Sequence, residues 1–479
     1  MKELLNYLEK IEKYNYVLNV LKWEMDTINA KDTVKYINEI MSFYDLEIYK
    51  LKVSNQYSKI LNKLIKSKEF NKLSLMEKEY ILFLKKEHDR LKSVPVKFYE
   101  EFNKLKTASV KVWKEAKTKN DYEIFKPYLI KLVNYSKKYY RYINNKENIY
   151  DMMLETYEEE MNSKKIDEIV NNLKYELLDI LKRIKSKKTL DFTSNENSSK
   201  CSNYILNYMG FDMNKGSTGT FLHAFTTKLS EEDTRIAFSD KTNIIDNILT
   251  TLHEGGHALF EQNIDEKLKK FKIYTINKNA VHEGAARFYE NMIGRNINFY
   301  KPIYSKIDLD ISIKDIKKYI TSVKSSLIRT EADEITYLLH IIIRYEIEKE
   351  IFNNNIDLNL LPELWKQKYK DYLGVEVKND SEGILQDVHW ADASFGYFPS
   401  YLLGNVFDGM LYYHIENKLG SINNILKKGK IVMINDLMKK EIFRYGGTYN
   451  INKLSKKIFK EELNPKYLIK YFKDKYKVD

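Results

Sequence analysis

Apolar residues return every three or four positions through most of the chain. In residues 2–23 they fall at Leu4, Leu5, Leu8, Ile11, Tyr14, Val17, Leu18 and Leu21, the stripe of an amphipathic helix. The same spacing predicts helices over about 32–68, 76–92, 96–119, 121–145, 149–162 and 164–185. Breaks fall at Pro95, which cannot continue a helix, and at Asn120–Asp121, whose side chains compete for backbone hydrogen bonds. Residues 186–200, SKKTLDFTSNENSSK, have the Ser/Asn-rich composition of an exposed loop. Between about 204 and 240 the pattern changes. KGSTGTF and the alternating TRIAF predict loop and short strand, hence a small sheet. Helical spacing resumes at Thr242 and runs to the end, broken at Pro302, at 374–383 and at Pro399. The expected fold is mostly α with one small β element.

Composition agrees. Gly (16) and Pro (6) are scarce for 479 residues, where an average chain would hold about 12% of the two together. That argues against an all-β or loop-rich fold, and a 43% hydrophobic content suffices for a large core. Length alone allows several domains or one large helical one. No segment reads as a domain linker, so the expectation is one domain over 1–479, with a helical part to about 200 and a catalytic part from about 201.

The single cysteine, Cys201, excludes an intramolecular disulfide and any cysteine-based zinc site. The N-terminal MKELLNYLEKIEKYNY lacks the apolar core of a signal peptide, and the longest apolar run, around Tyr337–Ile343, is too short to span a membrane. A soluble, cytoplasmic protein is expected. The net charge of +12 invites a nucleic-acid reading. However, the lysines are spread over the whole chain, often a turn from Glu or Asp, as solvated helix faces are. No nucleic-acid motif accompanies them, so neither nucleic acid nor membrane is an expected partner.

The strongest chemical signal is HEGGH, with His253, Glu254 and His257. Asp240 or Thr242 can cap this helix, and Ile245, Ile248, Leu249, Leu252 and Leu259 form its buried stripe. Positions four apart share a face, so both imidazoles reach one metal ion while Glu254 stands beside it as a general base. Gly255 and Gly256 each cost about 1 kcal/mol inside a helix, which implies that something approaches the backbone closely. A third ligand is expected on a downstream helix over Val281–Arg295. Spacing leaves His282, Glu283 and Glu290 open, and a His₂Glu site favours one of the two glutamates.

Further segments make the pattern recognisable. HEGGHALFEQ, VHEGAARFYEN, IRTEADEITYLLHIIIRYEIE and GILQDVHWADASFGYFPSYLLGN, in that order, closely resemble the thermostable carboxypeptidase (carboxypeptidase Taq) family of metallocarboxypeptidases. The likeness extends upstream to LKWEMD, WKEAKTKNDYEIFKPYL, GFD, HAFTT and DTRIAF, and so spans nearly the whole chain. The resemblance implies a helical, saddle-shaped molecule with a deep groove, a homodimer carrying zinc or cobalt, and stepwise removal of C-terminal residues from peptides. By position it makes His253, His257 and Glu283 the ligands and Glu254 the base. Arg329, in the IRxxAD motif, becomes the leading candidate to grip the substrate carboxylate, and a guanidinium suits that task through paired charge-assisted hydrogen bonds. Arg235 is a second candidate. Within GxxQDxHW, Gln386, Asp387 and His389 fall at or behind the site, and His389 is a candidate donor to the oxyanion or the substrate carboxylate. His223 is expected to line the C-terminal subsite. Tyr397 and Tyr401 are candidates to offer a phenol, although packing suffices to explain either.

Three positions depart from the family pattern: Ala224 replaces Pro, Ala237 replaces Thr, and Ala285 replaces a polar residue next to Glu283. None removes a ligand or the base. Two rival readings follow from the same residues: a helical oligoendopeptidase, which needs no carboxylate clamp, and a non-catalytic peptide-binding protein with a structural metal.

Overall fold

The structure is a computed structural model, and it describes residues 1–25, 31–145, 147–184, 198–221, 224–239, 243–269, 271, 279–307, 309 and 311–478. The apolar stripes become helices close to their expected bounds: Lys2–Met25, Leu75–Lys92, Val96–Lys119, Tyr122–Ile143, Ile149–Tyr157 and Ser163–Arg183. The predicted stretch 32–68 is two helices, Lys31–Val53 and Asn55–Ile65. Ser54 separates them, its side chain accepting from the Tyr57 N–H as an N-cap. A full capping box of Ser74 and Glu77 starts the Leu75–Lys92 helix. Most of the predicted 186–200 loop lies outside the described residues, and a helix, Ser198–Met209, occupies the start of the stretch from about 204 where loop and short strand are expected.

Three strands follow: β1 (Gly216–Phe221), β2 (Phe225–Ser230) and β3 (Asp233–Ser239). β3 lies in the middle, parallel to β1 and antiparallel to β2. Trp23 of the first helix packs with Phe221 and Phe225 on this sheet. Ala237, at the family's Thr position, is fully buried in that cluster. The sheet thus joins the N-terminal helices to the helix carrying HEGGH. One buried apolar core runs from Leu4 to Val478. Within it, helix Thr336–Phe352 is buried nearly all round, which explains the apolar run at Tyr337–Ile343. Pro399 stands in the first turn of helix Phe398–Leu419, where the missing N–H costs nothing. Among the described residues no helix is long and apolar enough to cross a membrane.

Candidate metal centre and active site

Helix Ile244–Gln262 carries the two histidines. Its cap is Asn243, whose Oδ1 accepts from the Ile245 N–H at 2.9 Å; Asp240 and Thr242 lie outside the described residues. The His253 and His257 rings stand 4.8 Å apart on one face of the helix. A second helix, Asn279–Arg287, brings Glu283 to them, with Oε2 3.5 Å from His257 Nε2 and 3.9 Å from His253 Nε2. Donor atoms of the three residues all lie within 4.8 Å of one another.

Glycine makes this approach possible. A Cβ on Gly256 would sit 2.8 Å from the Ala286 Cα, and one on Gly284 would sit 2.9 Å from the Gly404 carbonyl. The Glu283 helix is thus held between the histidine helix and helix Phe398–Leu419. What approaches the Gly256 backbone is the ligand helix itself.

The structure separates the three candidates for third ligand. Only Glu283 faces the Nε2 atoms. Glu290 meets the opposite edge of the ring, where His253 Nδ1 donates to Oε2 at 2.9 Å, and Arg287 donates to the same oxygen at 2.7 Å. His282 stacks on His257 at 4.3 Å and pairs with Glu261 at 3.1 Å. The helix predicted over Val281–Arg295 is α only to Arg287. A π-helical stretch over Phe288–Gly294 then carries Glu290. Such stretches occur often at functional sites.

The charge balance fits a cation. Burial works against protonation of His253, yet Glu283, Glu290 and Glu254 outweigh it and raise the pKa to about 9. Burial also opposes ionisation of Glu283, but the neighbouring His253, His257 and Arg287 bring it down to about 2. Two imidazoles and an ionised carboxylate, converging where positive charge is favoured, form the donor set of a divalent ion.

Glu254 is buried beside the histidines, and its Oε2 accepts the Thr226 hydroxyl at 2.8 Å. The same hydroxyl also meets the Glu254 carbonyl at 2.9 Å. Thr226 belongs to β2, so the small sheet orients the carboxylate. Sequence spacing gave no hint of this residue's role, because an alternating strand shows which face a residue occupies and not what it touches.

Arg329 is buried and pairs with Asp387 at 2.8 Å, rather than with Glu331 or Asp333. Arg344, from the buried helix, holds the other Asp387 oxygen at 2.6 Å. Gln386 Oε1 accepts from the Arg329 N–H at 3.0 Å and from Arg344 at 2.7 Å. Burial would raise the pKa of Asp387, but the two guanidiniums hold it far below the carboxylate range. Two cations on one carboxylate leave a surplus positive charge facing Tyr337 and Tyr401.

His389 Nε2 lies 3.2 Å from the Tyr401 hydroxyl, and its ring rests on Phe398 and Tyr397. Burial, with help from Arg329 and Arg344, brings the His389 pKa down to about 4, so the imidazole is neutral at ordinary pH. Tyr397 and Tyr401 pack edge to face at 5.1 Å, and burial raises both phenol pKa values. Arg235 is bound by Asp233 at 2.9 Å and lies 5.6 Å from the Trp23 ring, so its described contacts do not include the histidine cluster. His223 lies outside the described residues.

The sequence profile of the carboxypeptidase Taq (M32) metallopeptidases matches residues 3–476. The chain belongs to that family. It is 34% identical to carboxypeptidase 1 of Bacillus subtilis, over 99% of this chain and 97% of that protein. It is 28% identical to thermostable carboxypeptidase 1 of Pyrococcus furiosus, over 99% and 98%. Among solved structures it superposes on metallocarboxypeptidase 1 of Trypanosoma cruzi with a TM-score of 0.91, at 26% identity over 99% of each chain. The M32 chain is therefore a metal-dependent carboxypeptidase that acts on peptides, and the His253–His257–Glu283 cluster supplies a donor set for the divalent ion its family requires.

Proposed function

We propose that the enzyme removes residues one at a time from peptide C-termini, with a single zinc or cobalt ion held by His253, His257 and Glu283. The observation that carries this is the convergence of those donors beside Glu254, with the buried guanidiniums of Arg329 and Arg344 both held on Asp387. When bound, the ion supplies Lewis acidity, activating water and polarising the scissile carbonyl.

The chain's own residues do the rest. Thr226 holds one oxygen of Glu254, leaving the other to take a proton from the attacking water and pass it to the leaving amine. Arg329 grips the terminal carboxylate and so sets which bond is cut. Its charge is available because Arg344 shares in neutralising Asp387. Neutral His389 donates to the oxyanion or to the carboxylate, steadied by Tyr401, and Tyr397 closes the wall beside it. His223, and Arg235 on the sheet, complete the substrate contacts. The single domain and cytoplasmic setting expected from the sequence, and the homodimer implied by the family resemblance, belong to the same proposal.

The test compares a free-acid peptide with its C-terminally amidated twin, metal-loaded, with and without chelator, by mass spectrometry. Stepwise, chelator-sensitive shortening of the free acid alone is expected. Equal internal cutting of both would instead identify an endopeptidase, and no cutting with metal bound would identify a binding protein.

A further inference from the structure

Two buried arginines meet on one tyrosine. Tyr337 stands in the first turn of helix Thr336–Phe352, and Asp333 fixes that start by accepting the Ile335 N–H at 2.9 Å and the Thr336 N–H at 3.0 Å. The Tyr337 ring is buried, and the Arg287 guanidinium lies over its face, 3.9 Å from the centroid. The Tyr337 hydroxyl accepts from Arg329 Nη1 at 3.3 Å. Arg344, two turns further along the same helix, holds Asp387 at 2.6 Å.

Each arginine serves a different half of the site. Arg287 donates to Glu290 at 2.7 Å, and Glu290 accepts the Nδ1–H of His253 at 2.9 Å. The Arg287 Nε has no hydrogen-bond partner among the described residues, so Glu290 and the Tyr337 face are what direct that guanidinium. Arg329 spends Nε and Nη2 on Asp387, at 3.1 and 2.8 Å, and Nη1 is the nitrogen left over. With the Arg329 guanidinium 5.8 Å from the same ring centroid, two like charges share one side chain. Tyr337 offers electron-rich atoms to both: its π face to Arg287 and its phenol oxygen to Arg329. An apolar side chain could fill this place, but packing alone requires no hydroxyl here.

We infer that Tyr337 is a positioning residue that ties the carboxylate clamp to the metal centre. Its hydroxyl aims Arg329, and its ring seats Arg287 and, through Glu290, the His253 imidazole. The register between the gripped carboxylate and the ion is thus held by one rigid side chain. This rests on the carboxypeptidase reading above and adds a residue to its machinery.

Substitution separates the two contacts, because Tyr337→Phe keeps the ring and removes the oxygen, whereas Tyr337→Leu removes both. Zinc affinity is measured by titration against a chromophoric chelator, and kcat and KM are measured on a free-acid peptide at saturating zinc. The Phe variant should bind zinc as the wild type does, while its KM rises about tenfold and kcat changes less, as the loss of a hydrogen bond to a charged group implies. The Leu variant should show the same rise in KM and also bind zinc about tenfold more weakly, the worth of a buried cation–π contact. A partly unfolded sample lowers kcat and leaves KM alone, so it could not imitate this split. A Phe variant with the wild-type KM, or a Leu variant with the wild-type zinc affinity, would overturn the proposal while leaving the carboxypeptidase reading intact. So would an equal loss of zinc affinity in both variants, the mark of general loosening. Equal cutting of the free acid and its amidated twin by the wild-type enzyme would remove the parent reading, and this one with it.

Discussion

Glu290 accepts the Nδ1–H of His253 at 2.9 Å, which turns Nε2 of the same ring towards Glu283. One hydrogen bond thus fixes both the tautomer and the direction of a metal ligand. Arg287 holds the same Glu290 oxygen at 2.7 Å, so the carboxylate is itself oriented. Replacing Glu290 by Gln should weaken metal binding by about 10- to 100-fold without abolishing it. A titration against a chromophoric chelator measures this directly. Unchanged affinity would show that Glu290 has no part in preparing the ligand.

Gly256 carries a second prediction. Ala at this position gains about 1 kcal/mol of helix propensity, but its Cβ would press on the Ala286 backbone at 2.8 Å. Overpacking against backbone costs about 1–3 kcal/mol, so the net change should be a loss of stability of up to about 2 kcal/mol. Metal affinity should fall with it, because the two ligand helices are forced apart. Denaturant unfolding and a metal titration on one variant test both effects.

Arg329 is predicted to act through paired hydrogen bonds and not through charge alone. Lysine cannot reproduce the fork that meets Asp387 and leaves donors for a second carboxylate. Arg329→Lys should lower kcat/KM on free-acid peptides by about 10- to 100-fold, the worth of a charge-assisted hydrogen bond. The difference in rate between free-acid and amidated peptides should shrink accordingly. An undiminished preference for the free acid would place the clamp elsewhere.

Glu158 predicts a pH dependence of stability. It is buried beneath the start of the Glu283 helix, accepting from the Ala280 N–H at 2.7 Å. Burial raises its pKa to about 8. Between the unfolded value near 4.3 and this one, the folded protein keeps a proton that the unfolded chain has released. Stability from this group therefore falls as pH rises from about 5 to 8. Glu158→Gln cannot titrate, so the variant should gain on the wild type across that window, by up to about 1.4 kcal/mol per pH unit. Parallel pH profiles for the two proteins would refute it.

The sequence shows the helices clearly because most have one buried stripe, and it shows the HEGGH site because histidines four apart share a face. It does not show which acid completes the centre. Glu283 and Glu290 lie on one segment, and the π-helical stretch from Phe288 that aims Glu290 at Nδ1 has no counterpart in a 3.6-residue pattern. Long-range partners are equally hidden. Asp387 lies far downstream of Arg329, where no local spacing rule reaches. Arg344 sits inside the apolar run LLHIIIRYE and reads as a chance interruption until Asp387 and Gln386 are seen on it. Gly255 and Gly256 signalled a close approach correctly, but only the structure identifies the Glu283 helix as what approaches Gly256.

The central claim is that Glu254 moves the proton while His253, His257 and Glu283 hold the ion. Its most direct test is the single-turnover rate of Glu254→Gln on a free-acid peptide, with bound metal measured in the same sample. The account predicts one ion per chain and a rate lower by about 10²- to 10⁴-fold. A variant that keeps its metal and cuts at the wild-type rate would contradict it.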